Sequence, residues 1–395
     1  MAEYKPAIET FAKIKVVGVG GSGGSAINRM VQSKIRGVEF IAINTDVQAL
    51  HHSFAPLKIN IGKTVTRGLG AGMDPDLGRR AAEESQNEIR DALKGADMVF
   101  ITCGLGGGTG SGAAPIVADI ARDQGALTVA IVTKPFSWEG AQRNRIANDA
   151  YAELASRVDS IITIPNDRIL NIIDKKTTLL QSFGIVDDVL RHGVTGISEL
   201  ITVPGLINVD YADVRAIMQN TGSALMGIGQ ASGDSRASEA AKMAVSSPLL
   251  DLSIDGARGI LFTVTGGPNL TMQEVHEAAK IITGLADEDA KVIWGAIIND
   301  SLKDEVRITV VATGFPQDMI PIKPITRQDM GSEAPSIFGV ARTDFSPIIE
   351  EEERKVSRMP MREKVQSSYD SEKTPEEEEL EIPAFIRKKM NDKKK

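Results

Sequence analysis

Six short runs in the first 165 residues are rich in β-branched residues and often apolar without a break: Lys13–Val19, Phe40–Asn44, Leu57–Ile61, Met98–Cys103, Leu127–Val132 and Ser160–Ile164. A strand with one wet face alternates apolar and polar residues. A strand that stays apolar at successive positions is covered on both faces, as in a parallel sheet between two layers of helices. Helical segments fall between these runs, near Ser25–Ser33, Pro75–Lys94, Ser111–Gln124 and Ala141–Arg157. The βαβα alternation predicts an α/β, doubly wound domain over residues 13–177, after a flexible segment 1–12.

A longer helix is predicted from Thr178 to Ile201, because Leu179, Phe183, Val186, Leu190, Val194, Ile197 and Ile201 recur at helical spacing. Gly184, Gly193 and Gly196 interrupt it and imply close packing against neighbours. Its place, over 178–203 with Pro204-Gly205 as its stop, makes it a central spine between two domains. Residues 204–316 read as a smaller α+β domain, with strands near Ala224–Gln230, Gly259–Thr265, Val292–Ile298 and Val306–Ala312 and helices near Ser235–Ser246 and Thr271–Leu285. Beyond it come scattered prolines and the acidic runs Glu350–Glu353 and Glu376–Glu379. Such a segment buries too little apolar surface to offset its ordering entropy, so 317–378 is expected to be a disordered linker. Apolar anchors return beside a basic end in 379–395, as in a docking peptide on a tether.

At 395 residues the chain exceeds one ordinary domain. Its net charge of -8 repels phosphate backbones, which argues against general nucleic-acid binding. The single cysteine, Cys103, excludes an intramolecular disulfide framework and a Cys-based zinc site, and its apolar strand makes it a core residue. The N-terminus lacks the pattern of a secretory signal, and no run of about 18 apolar residues occurs. A cytoplasmic protein without direct membrane insertion is expected. The terminal Lys393-Lys394-Lys395 reads as a solvated end, or as a weak attraction to an anionic membrane.

The chemistry lies in three glycine clusters at strand ends. The first, Gly18-Val19-Gly20-Gly21-Ser22-Gly23-Gly24-Ser25, lets backbone N–H groups approach phosphate oxygens at the start of a helix. Alone it also fits a dinucleotide fingerprint, with Asp46 placed as a ribose-binding acid. The second, Gly104-Leu105-Gly106-Gly107-Gly108-Thr109-Gly110-Ser111-Gly112, offers a second nest of N–H groups with the Thr109 and Ser111 hydroxyls beside it. Two such loops suit a triphosphate better than a dinucleotide. The third, Arg67-Gly68-Leu69-Gly70-Ala71-Gly72, is a flexible loop long enough to cover a terminal phosphate. Gly62-Lys63-Thr64 mimics the end of a P-loop, but Leu57 stands where that motif needs glycine and no helix signal follows.

Gly106 to Gly112 matches the signature of the tubulin/FtsZ family. Further matches lie in order at Asn44-Thr45-Asp46, Arg67 to Gly72, Glu139-Gly140, Pro165-Asn166-Asp167 and Asn208 to Val214. The chain resembles that family, on its bacterial-type FtsZ side, from about Ile14 to Phe315. Ile382-Pro383-Ala384-Phe385-Ile386-Arg387 is similar to its tail peptide, which tubulins lack. The resemblance implies a GTP-hydrolysing protein that assembles with itself into the mid-cell division ring, with GTP/GDP and Mg²⁺ as ligands. Membrane-anchoring division proteins of the FtsA type are implied as partners through Ile382, Pro383, Phe385, Ile386 and Arg387, along with other divisome regulators.

By the same resemblance Gly20, Gly21, Ser22, Gly104, Gly106, Gly107, Gly108, Thr109, Gly110 and Ser111 hold phosphates, with Asn44, Asp46, Gly70, Ala71 and Gly72 beside them. Pro135, Glu139 and Arg143 lie by the sugar, Asn166 by ribose or base, and Ser25, Phe183 and Asp187 by guanine. Guanine presents N–H donors where adenine does not, so a carboxylate at Asp187 selects GTP. Phe183 lies four residues before it on the same helix face. No general base stands near the glycine loops. The family implies that Asp210 and Asp213, assisted by Asn208, orient the attacking water for the next subunit's nucleotide. Ser22 stands where glycine is common, Ser25 where asparagine is usual and Trp138 where phenylalanine is usual. A nicotinamide-dependent oxidoreductase and a scaffold that polymerises without hydrolysis are the other readings.

Overall fold

The computed structural model describes residues 12–170, 173, 176–203, 205–247 and 253–315. The expected N-terminal segment up to residue 11, the linker 317–378 and the peptide 379–395 lie outside them. The strands are β1 Ile14–Val19, β2 Val38–Asn44, β3 Leu57–Asn60, β4 Met98–Gly104, β5 Leu127–Lys134, β6 Ser160–Pro165, β7 Gly222–Ser232, β8 Gly259–Gly266, β9 Lys291–Ile298 and β10 Glu305–Thr313. The helices are α1 Gly20–Gln32, α2 Val47–His51, α3 Lys63–Thr66, α4 Pro75–Glu84, α5 Gln86–Leu93, α6 Gly108–Asp123, α7 Ala141–Ala155, α8 Asn166–Ile169, α9 Leu179–Thr202, α10 Tyr211–Met218, α11 Arg236–Val245 and α12 Met272–Thr283.

Among the described residues the strands form one sheet, ordered β3-β2-β1-β4-β5-β6-β7-β10-β8-β9. Every pairing from β3 through β7 is parallel, and only β10 runs antiparallel to its neighbours β7 and β8. The unbroken apolar runs are buried as their pattern requires: β1 and the first six residues of β4 have no exposed position. One face of the parallel part carries α4 to α7 and the other carries α1, α9 and α10, each over its own apolar cluster. A third cluster lies between β8, β10, α11 and α12.

Three local outcomes differ from the sequence reading. Helix α1 begins at Gly20, not near Ser25, and takes in four glycines. Intrinsic propensity opposes this, but packing demands it: a Cβ on Gly23 would stand 2.5 Å from the Thr102 carbonyl oxygen. The segment Pro75–Lys94 is two helices. Ser85 ends the first, and its Oγ accepts the Gly62 N–H at 3.2 Å. A single helical turn, α3, does follow Gly62, which itself is left-handed at φ 65°. The third glycine cluster therefore follows that turn and not a strand. It is tied down by bonds from the Val47 N–H to the Gly68 carbonyl and from the Gly108 N–H to the Gly72 carbonyl.

The spine forms as its pattern predicts. Thr178 and Gln181 make a reciprocal capping box at its start. Its glycines mark close approaches: a Cβ on Gly193 would lie 3.2 Å from both Ile131 and Met226, and one on Gly196 would lie 2.8 Å from Thr309. Helix α9 thus lies against β5 on one side and β7 and β10 on the other.

Candidate active site

Strand order reverses between β1 and β4, because β2 and β3 lie to one side and β5 and β6 to the other. Chains leaving the carboxyl ends of β1 and β4 diverge there and open a crevice, the usual ligand position in such sheets. The first two glycine clusters flank it. A cleft of about 500 Å³ results, a size normal for a small-ligand site.

Helices α1 and α6 both begin at this cleft. Their cap residues, Val19 and Gly107, give no side-chain cap, and neither first turn holds an acid. The Gly108 N–H is given to the Gly72 carbonyl, but the other first-turn N–H groups of the two helices face no competing carboxylate and form an anion site. Side chains fix the loops around it. Ser22 Oγ accepts the Gly104 N–H at 2.7 Å, joining the first two clusters. Ser111 Oγ accepts the Gly106 N–H at 2.9 Å, and the Thr45 and Thr109 hydroxyls lie 2.7 Å apart.

The other end of the cleft suits a base and sugar. Phe183 is 43% exposed and meets Phe136 edge-on at 6.1 Å, while Trp138 stacks on Phe136 at 5.3 Å. Glu139 and Arg143 form an ion pair at 3.0 Å, and the second Glu139 oxygen accepts the Phe136 N–H. Arg143 Nε and Asn166 Oδ1 are buried without a hydrogen-bond partner. Both residues line the cleft, so a polar ligand there would satisfy atoms that the protein leaves unpaired. Asp187 binds Arg29 Nε through one oxygen at 2.9 Å. Burial pushes its carboxyl above the usual range, and the guanidinium opposes that shift.

Of the sequence-predicted residues, Gly20, Gly21, Ser22, Ser25, Gly72, Gly104, Gly107, Gly108, Thr109, Gly110, Pro135, Glu139, Arg143, Asn166, Phe183 and Asp187 line this one cleft. Asn44 lines a smaller adjoining cavity of about 200 Å³ that shares Gly20, Gly21 and Ser25 with it. Asp46 caps α2, accepting from the Gln48 and Ala49 N–H groups. Gly70, Ala71, Gly106 and Ser111 do not line the cleft, although Ala71 and Ser111 are buried beside residues that do. Leu105, Thr133, Val186 and Leu190 also line it and were not foreseen. Val186 and Leu190 carried a signal, at three and seven residues after Phe183. Arg29 carried none, since only the fold brings α1 to α9.

The acidic loop is elsewhere. Tyr211 donates its hydroxyl to the Asp97 carbonyl at 2.6 Å, and Asp97 precedes β4. The glycine loops lie beyond the other end of that strand, about 20 Å away at the usual rise per residue. Asp210 occupies the cap position of α10 without a side-chain cap bond, and Asp213 lies in its first turn. Both are exposed, and among the described residues neither carboxylate has a hydrogen-bond or ion-pair partner. Asn208 Oδ1 accepts the Gly205 N–H at 2.5 Å.

Comparison with known proteins agrees with this architecture. Residues 13–174 match the tubulin/FtsZ family GTPase domain, and residues 222–316 match the FtsZ family C-terminal domain. An empty FtsZ dimer from M. jannaschii is 48% identical, with a TM-score of 0.75 over 78% of this chain and 89% of that one. The GDP-bound monomer of CetZ1 from Haloferax volcanii shares the fold at 21% identity, with a TM-score of 0.67 over 77% of this chain and 95% of that one. Two domain matches in order and near-complete coverage of an FtsZ at this identity establish that the chain belongs to the tubulin/FtsZ family of GTPases, on its FtsZ side.

Proposed function

We propose that the chain binds GTP in the switch-point cleft and hydrolyses it only when the acidic loop of a second copy closes the site. One observation carries this reading. The cleft's two carboxylates, Glu139 and Asp187, are each engaged by an arginine, whereas the exposed and unpartnered Asp210 and Asp213 lie at the opposite end of the strands. One chain therefore has a phosphate cradle without a free carboxylate in it, and a pair of free carboxylates without a cradle.

The α1 and α6 N–H groups hold the phosphates, with Thr109 beside them. Arg143 and Asn166 take the sugar and neighbouring groups, Phe183 stacks on the base, and Asp187 accepts from guanine N1–H and N2–H. Asp210 and Asp213 of one copy, with Asn208, orient the water for the nucleotide of the next. Positioning and charge stabilisation then suffice for phosphoryl transfer. Mg²⁺, held by phosphate oxygens and water, would neutralise part of the phosphates' charge.

A surface that meets a different surface on its neighbour propagates head to tail, and an unclosed rotation gives a filament. An FtsZ relative that forms a dimer is consistent with self-association. In this reading the chain acts at the mid-cell division ring in the cytoplasm, with the GTP-binding half 13–177 and the half 204–316 joined by the spine. The segment 317–378 serves as a tether for Ile382, Pro383, Phe385, Ile386 and Arg387 to reach an FtsA-type anchor.

GTP hydrolysis measured against protein concentration with Mg²⁺, alongside sedimentation, tests the reading. A rate per molecule near zero at low concentration that rises past a threshold with pelleting is expected. A rate per molecule independent of concentration would put the whole site in one chain and refute the shared mechanism.

A further inference from the structure

The Arg29–Asp187 pair joins two elements with separate duties. Helix α1 opens at the first glycine loop, and α9 carries Phe183 and Asp187 at the other end of the cleft. Arg29 is not among the residues lining the cleft, and its contact with them is the ion pair to Asp187. Nε binds one oxygen, Oδ2, and among the described residues no hydrogen bond or ion pair engages Oδ1. The seat of the guanidinium is built: a Cβ on Gly184 would stand 2.9 Å from Nη2, 3.4 Å from Cζ and 3.5 Å from Nη1. Glycine at that turn leaves the room that Arg29 occupies.

The protonation state of a carboxyl facing a purine decides which purine it prefers. Ionised, it only accepts, and guanine offers N1–H and N2–H on the facing edge. Protonated, its O–H donates to adenine N1 while its carbonyl accepts from adenine N6–H, and the preference reverses. Burial pushes Asp187 toward the protonated form, and the neighbouring Asp188 acts in the same direction. Asp188 is itself engaged by Arg191 at 3.2 Å, and across the cleft Glu139 and Arg143 neutralise each other. Among the described residues Arg29 from α1 is the cation that contacts Asp187.

We propose that Arg29 is a specificity-determining positioning residue, whose guanidinium, seated against Gly184, holds Asp187 as a charged and oriented acceptor and so makes the cleft select guanine over adenine. This rests on the nucleotide reading given above. The residue deciding between two bases then touches neither.

The test is equilibrium binding of GDP and ADP between about pH 5.5 and 8, for the full chain and its Arg29→Ala, Arg29→Lys, Gly184→Ala and Asp187→Ala variants. In Arg29→Ala the GDP/ADP affinity ratio should fall about ten-fold or more at the acid end, the scale of a hydrogen bond to a charged group. It should recover as the pH rises. Arg29→Lys should restore most of the ratio. Gly184→Ala displaces the guanidinium without removing its charge and raises helix propensity, so it should fold and show a smaller shift in the same sense. Equal loss of both nucleotides at every pH, or an unchanged ratio, would overturn the proposal. If the wild-type chain binds no GDP, the nucleotide reading itself fails. If it binds GDP and Asp187→Ala alone loses selectivity, only the role of Arg29 fails.

Discussion

Gly107 is a position where one methyl group tests the phosphate cradle without testing the fold. It caps α6 at φ -96° and ψ 168°, extended backbone open to any L-residue, and no heavy atom lies within 4 Å of where its Cβ would stand. The space around it is the cleft itself. Gly107→Ala should therefore leave the nucleotide-free melting temperature within about 2 °C, the counterpart of a change of ~0.5 kcal/mol. A methyl forced into a close-packed contact costs on the order of 1–3 kcal/mol. Affinity for GDP should then fall about 5- to 150-fold. Displacement of a fluorescent GDP reads this directly. Melts at fixed GDP read it again, because ligand stabilisation shrinks by about 1.4 kcal/mol per ten-fold rise in Kd. Gly112→Ala is the contrast: its methyl would stand 1.9 Å from the Pro75 carbonyl oxygen, where α4 crosses α6, so stability should fail first. Wild-type affinity in Gly107→Ala would mean that no phosphate approaches the start of α6, and the reasoning from the two uncapped helices would fall. A nucleotide-free melting point lowered by more than about 5 °C would refute the open-space premise instead.

Asp213→Ala should bind GTP within about two-fold of wild type yet lose about a hundred-fold or more in hydrolysis, the scale of removing one stabilising group from an active site. Single-turnover assays beside equilibrium binding separate the two. Ser22→Ala removes the acceptor of the Gly104 N–H. Faster amide exchange at Gly104 and GDP affinity weaker by about five-fold are expected from one lost hydrogen bond of ~1 kcal/mol. His192 is held down to about 4, first by burial and then by Arg191 and Arg307. The unfolded chain takes up that proton near pH 6.5, so stability is full above about 6.5 and declines as the pH falls toward 4. The loss is about 3 kcal/mol at most. Denaturant melts across that window should show the slope, and His192→Gln should flatten it.

Legibility followed the range of the forces involved. Strands such as β1 and β4 were readable because burial on both faces writes itself into consecutive residues. The spine was readable from its stripe and from glycines that mark where β5 and β10 press on it. What stayed hidden was set by contacts distant in sequence. The start of α1 depends on Gly23 fitting under the Thr102 carbonyl, and the break at Ser85 depends on Gly62. Asp46 has the residue type and place of a ligand contact, and its Oδ1 also caps α2, a bond that the residue type alone did not reveal. The glycine loops announced the phosphate cradle, but Arg29 lies 158 positions from its carboxylate and no local pattern links them.

The single sheet is also a mechanical part. Parallel β6 and β7 are joined through three residue pairs, while β7 and β10 share nine. Asp159 pins that narrow seam: its carboxylate accepts from the Thr128 and Asn220 N–H groups, and its carbonyl accepts from those of Thr221 and Gly222. A tensile or twisting load passed between the two halves would meet its least resistance along that line. The seam is the compliant joint of an otherwise stiff beam, with one buried carboxylate as its rivet.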